Sequence, residues 1–189
     1  MRLILASSSP QRRDILASLG CDFEIVATDV VEEEHGPPGD VARGNALRKA
    51  QAGLAVAGLG DDVVVLGVDT VVAIDDRIWG KPADADAAAA TLRRLAGRTH
   101  EVVSGFAVID GDGARTGEAV TEVRFRALDE ATIAWYVASG EWRGRAGGYA
   151  IQSRGGALVE RINGDYLNVV GLPVAALTEL WPQLIAPGP

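Results

Sequence analysis

Leu3-Ile4-Leu5-Ala6-Ser7-Ser8-Ser9-Pro10-Gln11-Arg12-Arg13 opens this chain as an apolar strand that runs straight into a helix start. Ser9 suits the N-cap, and Pro10 suits the first helical position, where a missing N–H leaves no bond unmade. The free backbone donors and the dipole of such a helix start favour an anion, phosphate included. Three hydroxyls and two guanidinium groups lie within reach of it. An ordinary capped surface helix carries the same Ser and Pro, so the junction by itself is compatible with both.

Outward from that junction the chain alternates strands and helices. After a helix from about Pro10 to Leu19, closed by Gly20, Phe23 to Ala27 is expected as a strand and Thr28 to Gly39 as an acidic loop. Asp40 is placed to cap a helix from Val41 to Ala57. Val63 to Val68 is a continuous apolar run, which suits a strand buried on both faces. Asp75-Asp76 marks a turn, and Ala85 to Leu95 is expected as a helix ended by Gly97. Glu101 to Ile109 should pair with Ala119 to Phe125 across a loop beginning Asp110-Gly111-Asp112-Gly113, and Asp129 should cap a helix reaching Ala138. Trp142 to Gly156, rich in Gly and Arg, suits a site loop. Ala157 to Ile162, the turn Asn163-Gly164 and Tyr166 to Val170 are expected to form a hairpin, with Pro173 opening the final helix. Without an internal repeat or a linker, one domain over residues 1–186 is expected, followed by a frayed tail at 187–189.

Composition narrows the chemistry. The 189 residues suit one domain, or one domain of two lobes, and the 48% hydrophobic and 23% charged fractions are those of a soluble globular chain. A net charge of −8 repels polyanions, so neither a nucleic-acid polymer nor a membrane surface is an expected partner, and an anionic ligand must be held locally. The sole cysteine, Cys21, excludes an intrachain disulfide and a thiolate metal cluster; it is expected as a small buried hydrophobe, with the cytoplasm as the natural compartment. Met1 to Ala6 is too short for a signal-peptide core, and Asp69 interrupts the apolar run from Val63 to Ile74, so no membrane span is expected.

Several familiar catalytic motifs are missing. The chain holds no Gly-Lys-Ser/Thr phosphate loop, no Gly-x-Ser-x-Gly elbow and no His-Glu-x-x-His helix. With only His35 and His100 and one cysteine, soft zinc ligands are lacking, whereas carboxylate oxygens suit magnesium or manganese. Both histidines are expected to be structural or solvent-facing. Asp69 is different: a carboxylate inside an apolar run needs a metal or a cation against it, unless Gly67 ends the strand and lets it reach solvent. Of Glu32, Glu33 and Glu34, one is expected to reach a site and the others to be solvated. Lysine is scarce, with Lys49 and Lys81 the only two among 18 basic residues. Its compact ammonium suits a single phosphate oxygen, and Lys81 stands in a rigid Gly80-Lys81-Pro82 turn, whereas Lys49 lies midway along the second helix.

Ser7-Ser8-Ser9-Pro10-Gln11-Arg12, Lys49-Ala50, Gly67-Val68-Asp69-Thr70-Val71-Val72, Gly80-Lys81-Pro82, Ala146-Gly147-Gly148-Tyr149-Ala150-Ile151-Gln152 and Asn168-Val169-Val170-Gly171-Leu172-Pro173 together resemble the Maf family of nucleoside triphosphate pyrophosphatases. The motifs run in order from Leu3 to about Leu180. The resemblance implies an elongated α/β, mixed-sheet fold with two lobes and a central cleft, similar to inosine triphosphatases, and a homodimer. It also implies hydrolysis of a nucleoside triphosphate to the monophosphate and pyrophosphate with a divalent cation, magnesium or manganese.

Residue by residue, the resemblance makes Asp69 the proton acceptor that activates water or a metal ligand that holds it, with Glu32 at the family's acidic loop position as a second metal ligand. Ser7, Ser9, Arg12, Lys49 and Lys81 match phosphate-handling positions. Gln11, Thr70 and Gln152 match positions tied to base selectivity. Gln152 and its loop look like the members acting on dTTP and UTP, although many of those carry arginine in place of Gln11 and Gly-Ile-Gln-Gly in place of Ala150-Ile151-Gln152-Ser153. Those departures bear on substrate choice, which extends to a modified or non-canonical nucleotide, and leave the reaction class alone. The family is also linked with cell-division arrest, so a nucleotide-binding regulator of septum formation with little turnover is the alternative; the intact Asp69, Glu32 and Lys81 favour an enzyme.

Overall fold

Asp69 does not end its strand. In the computed structural model, which describes residues 1–58, 60 and 62–185, the apolar run continues through it as β3, Val63–Ile74. Before β3 come β1 (Arg2–Ala6), α1 (Pro10–Ser18), β2 (Phe23–Ile25) and α2 (Pro38–Ala57). After it come β4 (Arg77–Trp79), α3 (Ala85–Leu95), β5 (Thr99–Asp110), β6 (Gly113–Phe125), α4 (Glu130–Ala138), β7 (Val159–Asn163), α5 (Tyr166–Val170) and α6 (Val174–Leu180). The strands form one mixed seven-stranded sheet in the order β2-β1-β3-β5-β6-β7, with β4 also paired to β3. β1 runs parallel to β2 and β3, and the remaining pairs are antiparallel. This is the expected mixed α/β architecture. The expected tail at 187–189 lies outside the described residues.

Side chains alternate across the long strands, and this alternation builds two cores end to end on one face. Val64, Leu66 and Val68 of β3 pack with Leu3, Leu5, Phe106, Ile15, Leu16, Leu177 and Trp181. Farther along the same face, Val72 and Ile74 pack with Val102, Val123, Phe125, Leu92, Leu95, Ile133 and Tyr136. Thr70 falls between the two. On the opposite face α2 lies against the sheet, with Ala46 and Ala50 on Ile4, Val65 and Ala107, and with Val41 and Ala42 on Val71 and Val103. At two positions beneath this helix only glycine fits. A Cβ at Gly67 would fall on the Ala46 carbonyl oxygen and 2.6 Å from the Ala50 nitrogen, and one at Gly105 would meet the Ala42 and Arg43 backbone.

Several local expectations need correction. α2 begins at Pro38, so Asp40 sits in the first turn, where it favours the helix dipole and binds Arg43 at 2.5 Å, and does not cap. β2 stops at Ile25, short of Ala27. β5 and β6 pair from Asp110 opposite Gly113 onward, because Gly111-Asp112 forms a two-residue hairpin turn; residues 113–118, expected as part of a loop, are a mostly exposed stretch of β6. Tyr166–Val170 is a helix and not the second strand of a hairpin. Asp165 accepts a bond from Leu167 N–H at 2.8 Å as its N-cap, Gly171 follows it with a positive φ, and the buried Asn168 amide anchors it to the Val102 carbonyl of β5 at 3.0 Å. Cys21 is half-buried, against the first core. Asp129 caps α4 as expected, accepting from Thr132 N–H at 2.8 Å.

His100 belongs to the second core. It is buried, its Nε2 lies 2.9 Å from the Tyr149 hydroxyl, and its ring stands edge-on to Phe125. Burial lowers its pKa from 6.5 to about 4. The folded state therefore refuses a proton that the unfolded chain accepts. The stability this group confers is complete above about pH 6.5 and is lost as pH falls toward about 4, by about 3 kcal/mol in all. Urea melts of the wild type should show falling stability from pH 7 to pH 5, and His100→Gln should flatten that slope.

Candidate functional site

β1 reaches along β3 only as far as Ala6 opposite Gly67, and β4 joins the same side of β3 only from Trp79 opposite Val72. Among the described residues, Val68 to Val71 therefore have no strand neighbour on that side, and the sheet carries a notch. Each flanking strand delivers one sequence motif to it. β1 continues into Ser7-Ser8-Ser9 and α1 at its carboxyl end, a usual place for a ligand in α/β sheets; β4 continues into Gly80-Lys81-Pro82. Asp69 and Thr70 form the floor, one on each face of β3. A cavity of about 410 Å³ opens here, and all ten residues expected to act line it: Ser7, Ser9, Gln11, Arg12, Glu32, Lys49, Asp69, Thr70, Lys81 and Gln152. A second cavity of about 420 Å³ adjoins it beneath the acidic loop and shares Glu32, Asp69, Thr70 and Lys81.

Lys49 organises the charge. It projects from the buried face of α2, where Asn45 stands one turn earlier among alanines. Its Nζ lies 2.6 Å from Asp69 Oδ1 and 2.6 Å from Glu32 Oε1, while Asn45 Nδ2 donates to Asp69 Oδ2 at 3.0 Å. Lys49 and Asp69 are both buried. Burial pushes the Asp69 carboxyl up, but Lys49, Asn45 and Arg12 together overcome it and hold the group below its ordinary value. Glu32 is also held low: burial again acts against the Lys49 ammonium, which prevails, with Lys81 contributing from 3.4 Å. Both carboxylates are thus ionised at neutral pH. Of the three loop acids, Glu32 is the one joined to these lysines.

Arg12 ties the first motif to the floor. Its Nε donates to the Gly171 carbonyl at 2.9 Å, Nη1 to Ser7 Oγ at 3.0 Å and Nη2 to Thr70 Oγ1 at 3.1 Å. Its burial lowers its pKa, against the Asp69 and Glu32 charges. Thr70 is further held 2.8 Å from Ser104 Oγ. Ser9 occupies the N-cap position, yet its side chain makes no capping bond and instead donates to Gln11 Oε1 at 3.2 Å. Gln152 is exposed on the cavity wall.

No group of three or more His, Cys, Asp or Glu that could hold a metal occurs among the described residues. The two carboxylates on the main cavity, Asp69 and Glu32, nonetheless fit magnesium or manganese. Such ions take one or two carboxylates and fill their remaining positions with water and substrate phosphates. Asn45, Ser104, Arg143 and Arg145 were not among the expected site residues. Asn45 had a legible signal, since it stands four residues before Lys49 on a small-residue helix face. Ser104 had none, as its role depends on the β3–β5 register.

Residues 2–184 match the family model described as "Maf-like protein". A dTTP/UTP pyrophosphatase of Pelotomaculum thermopropionicum is 45% identical over 182 residues, covering 94% of each chain. One of Pyrococcus furiosus is 42% identical, over 95% of this chain and 93% of the relative. A crystal structure of a nucleoside-triphosphatase / dITP/XTP pyrophosphatase from Mycobacterium abscessus is similar over 68% of this chain and 76% of its own, with 21% identity and a TM-score of 0.46.

Replacing Lys49 by Met should leave Asp69 buried and poorly compensated, destabilising the fold by about 3 kcal/mol or more. It should also reverse a sign. In the wild type, Asp69 stabilises the fold above its unfolded pKa of about 4, and that contribution is lost as pH falls through the lowered folded value. Without Lys49 burial dominates and raises the pKa, so Lys49→Met should be relatively more stable near pH 4.5 than at pH 7. Thermal melts across that range would report it.

Proposed function

The chain belongs to the Maf-like protein family, and on that premise we propose that it hydrolyses nucleoside triphosphates to the nucleoside monophosphate and pyrophosphate, with dTTP and UTP as its substrates. The observation that carries this reading is the buried Lys49 ammonium holding Asp69 and Glu32 ionised on the wall of a cavity that Ser7, Ser9, Arg12 and Lys81 also line. The substrate preference rests on the names of the relatives and on Gln152, an uncharged amide able to donate to and accept from a pyrimidine edge.

Asp69 orients the water that attacks the α-phosphorus. A carboxylate held below its ordinary pKa is a weak base, but phosphoryl transfer needs little proton movement and much positioning. Lys49, Lys81 and Arg12 offset the charge of the phosphates, and the Ser7 and Ser9 hydroxyls orient their oxygens. Glu32 and Asp69 would hold the divalent cation, magnesium or manganese, which supplies further charge neutralisation at the phosphate oxygens. Thr70 acts by holding Arg12 in place. Among the described residues no helix is long and apolar enough to cross a membrane. A cytoplasmic location is supported by the lone cysteine and the nucleotide substrate, and a homodimer by family resemblance alone.

The purified protein should release pyrophosphate from dTTP and UTP in magnesium or manganese, and Asp69→Asn should lower kcat by roughly 10²-fold or more. Nucleotide binding without turnover in the wild type would overturn the reading. Gln152→Ala should lower the ratio of dTTP or UTP hydrolysis to that of other triphosphates. A uniform fall across a nucleotide panel would mark Gln152 as structural.

A further inference from the structure

Arg143 and Arg145 stand in the Gly- and Arg-rich segment between α4 and β7, and the network around Asp69 uses neither. Both line the main cavity, together with Lys81 and Gln152. Arg2, Arg43, Arg93 and Arg98 each bind a carboxylate, whereas among the described residues Arg143 and Arg145 pair with none. Arg145 Nε is buried and has no hydrogen-bond partner, an unfavourable state for a donor unless a ligand supplies the acceptor. The Arg143 guanidinium lies 4.7 Å over the Trp142 ring, which restrains it at the cavity wall.

The charges of the cavity point the same way. Without ligand, Lys49 pairs with Glu32 and Asp69 and Lys81 with Glu32, so these lysines reach the phosphates only to the extent that the carboxylates turn to a divalent cation. Arg12 commits three of its five N–H donors to Gly171, Ser7 and Thr70. Arg143 and Arg145 are the remaining cations on the wall, in a chain whose net charge of −8 supplies no general attraction for an anion. A guanidinium presents paired donors that match phosphate oxygens.

We propose that Arg145, assisted by Arg143, grips the β and γ phosphates and so binds the pyrophosphate half of the substrate, an inference that rests on the pyrophosphatase activity proposed above. The two arginines would then hold the leaving group, and free pyrophosphate would compete for the same place.

Calorimetry with inorganic pyrophosphate and with thymidine monophosphate, in magnesium, tests this beside dTTP kinetics. Arg145→Gln should weaken pyrophosphate binding at least about tenfold and raise KM for dTTP, while monophosphate binding stays within about twofold. Arg143→Gln should show a smaller selective loss. Should Arg145→Gln fail to fold, Arg145→Lys carries the test, with a selective loss of about threefold expected because a point charge replaces the fork. Unchanged pyrophosphate affinity, equal losses for both ligands, or no pyrophosphate binding by the wild type would overturn the proposal. Failure of the wild type to turn over any triphosphate would instead overturn the reaction, while the binding comparison still judges the arginines.

Discussion

Helix α2 rests on the backbone of β3 and β5, and the site depends on that contact. Gly67 and Gly105 leave no Cβ beneath the helix, and Ala42, Ala46 and Ala50 complete a surface of minimal side chains. The helix therefore comes close enough for Asn45 and Lys49, one turn apart on its buried face, to reach Asp69. Burying a lysine and an aspartate is unfavourable on its own, and the pair persists because each supplies the other's counter-charge while Asn45 and Glu32 satisfy what remains.

The notch follows from a second constraint, the length of the strands. β3 and β5 run through two apolar cores, and no core covers the stretch between them, so the polar residues collect there. β1 and β4 approach β3 from the same side and stop short of each other. The gap leaves sheet positions unpaired and directs the Ser7 and Lys81 segments to opposite rims of one opening. A chain of net negative charge thereby keeps a local group of cations, fixed by Thr70, Gly171, Glu32 and the Trp142 ring.

Charge distribution within the opening is uneven. The lysines are matched by carboxylates, Arg12 is bound to neutral oxygens, and Arg143 and Arg145 keep their donors available. Matched charges hold fixed positions and cost little in the absence of ligand. Unmatched ones offer their attraction to an anion that enters.

Read alone, the sequence determined the alternation of strands and helices, the capping of α4 by Asp129, and the anomaly of Asp69 in an apolar run, because those depend on local propensity and on the cost of burying a carboxylate. It also marked the residues that line the cavity, by motif. The helix at Tyr166–Val170 was not legible: its residues suit a strand, and the Asp165 cap together with the Asn168 bonds to β5 and β6 overrides that preference. Nor could the order of residues show that Lys49 stands between Glu32 and Asp69. That depends on the glycine contact beneath α2 and on which strands stop short along β3, and both are set by packing between segments distant in the chain.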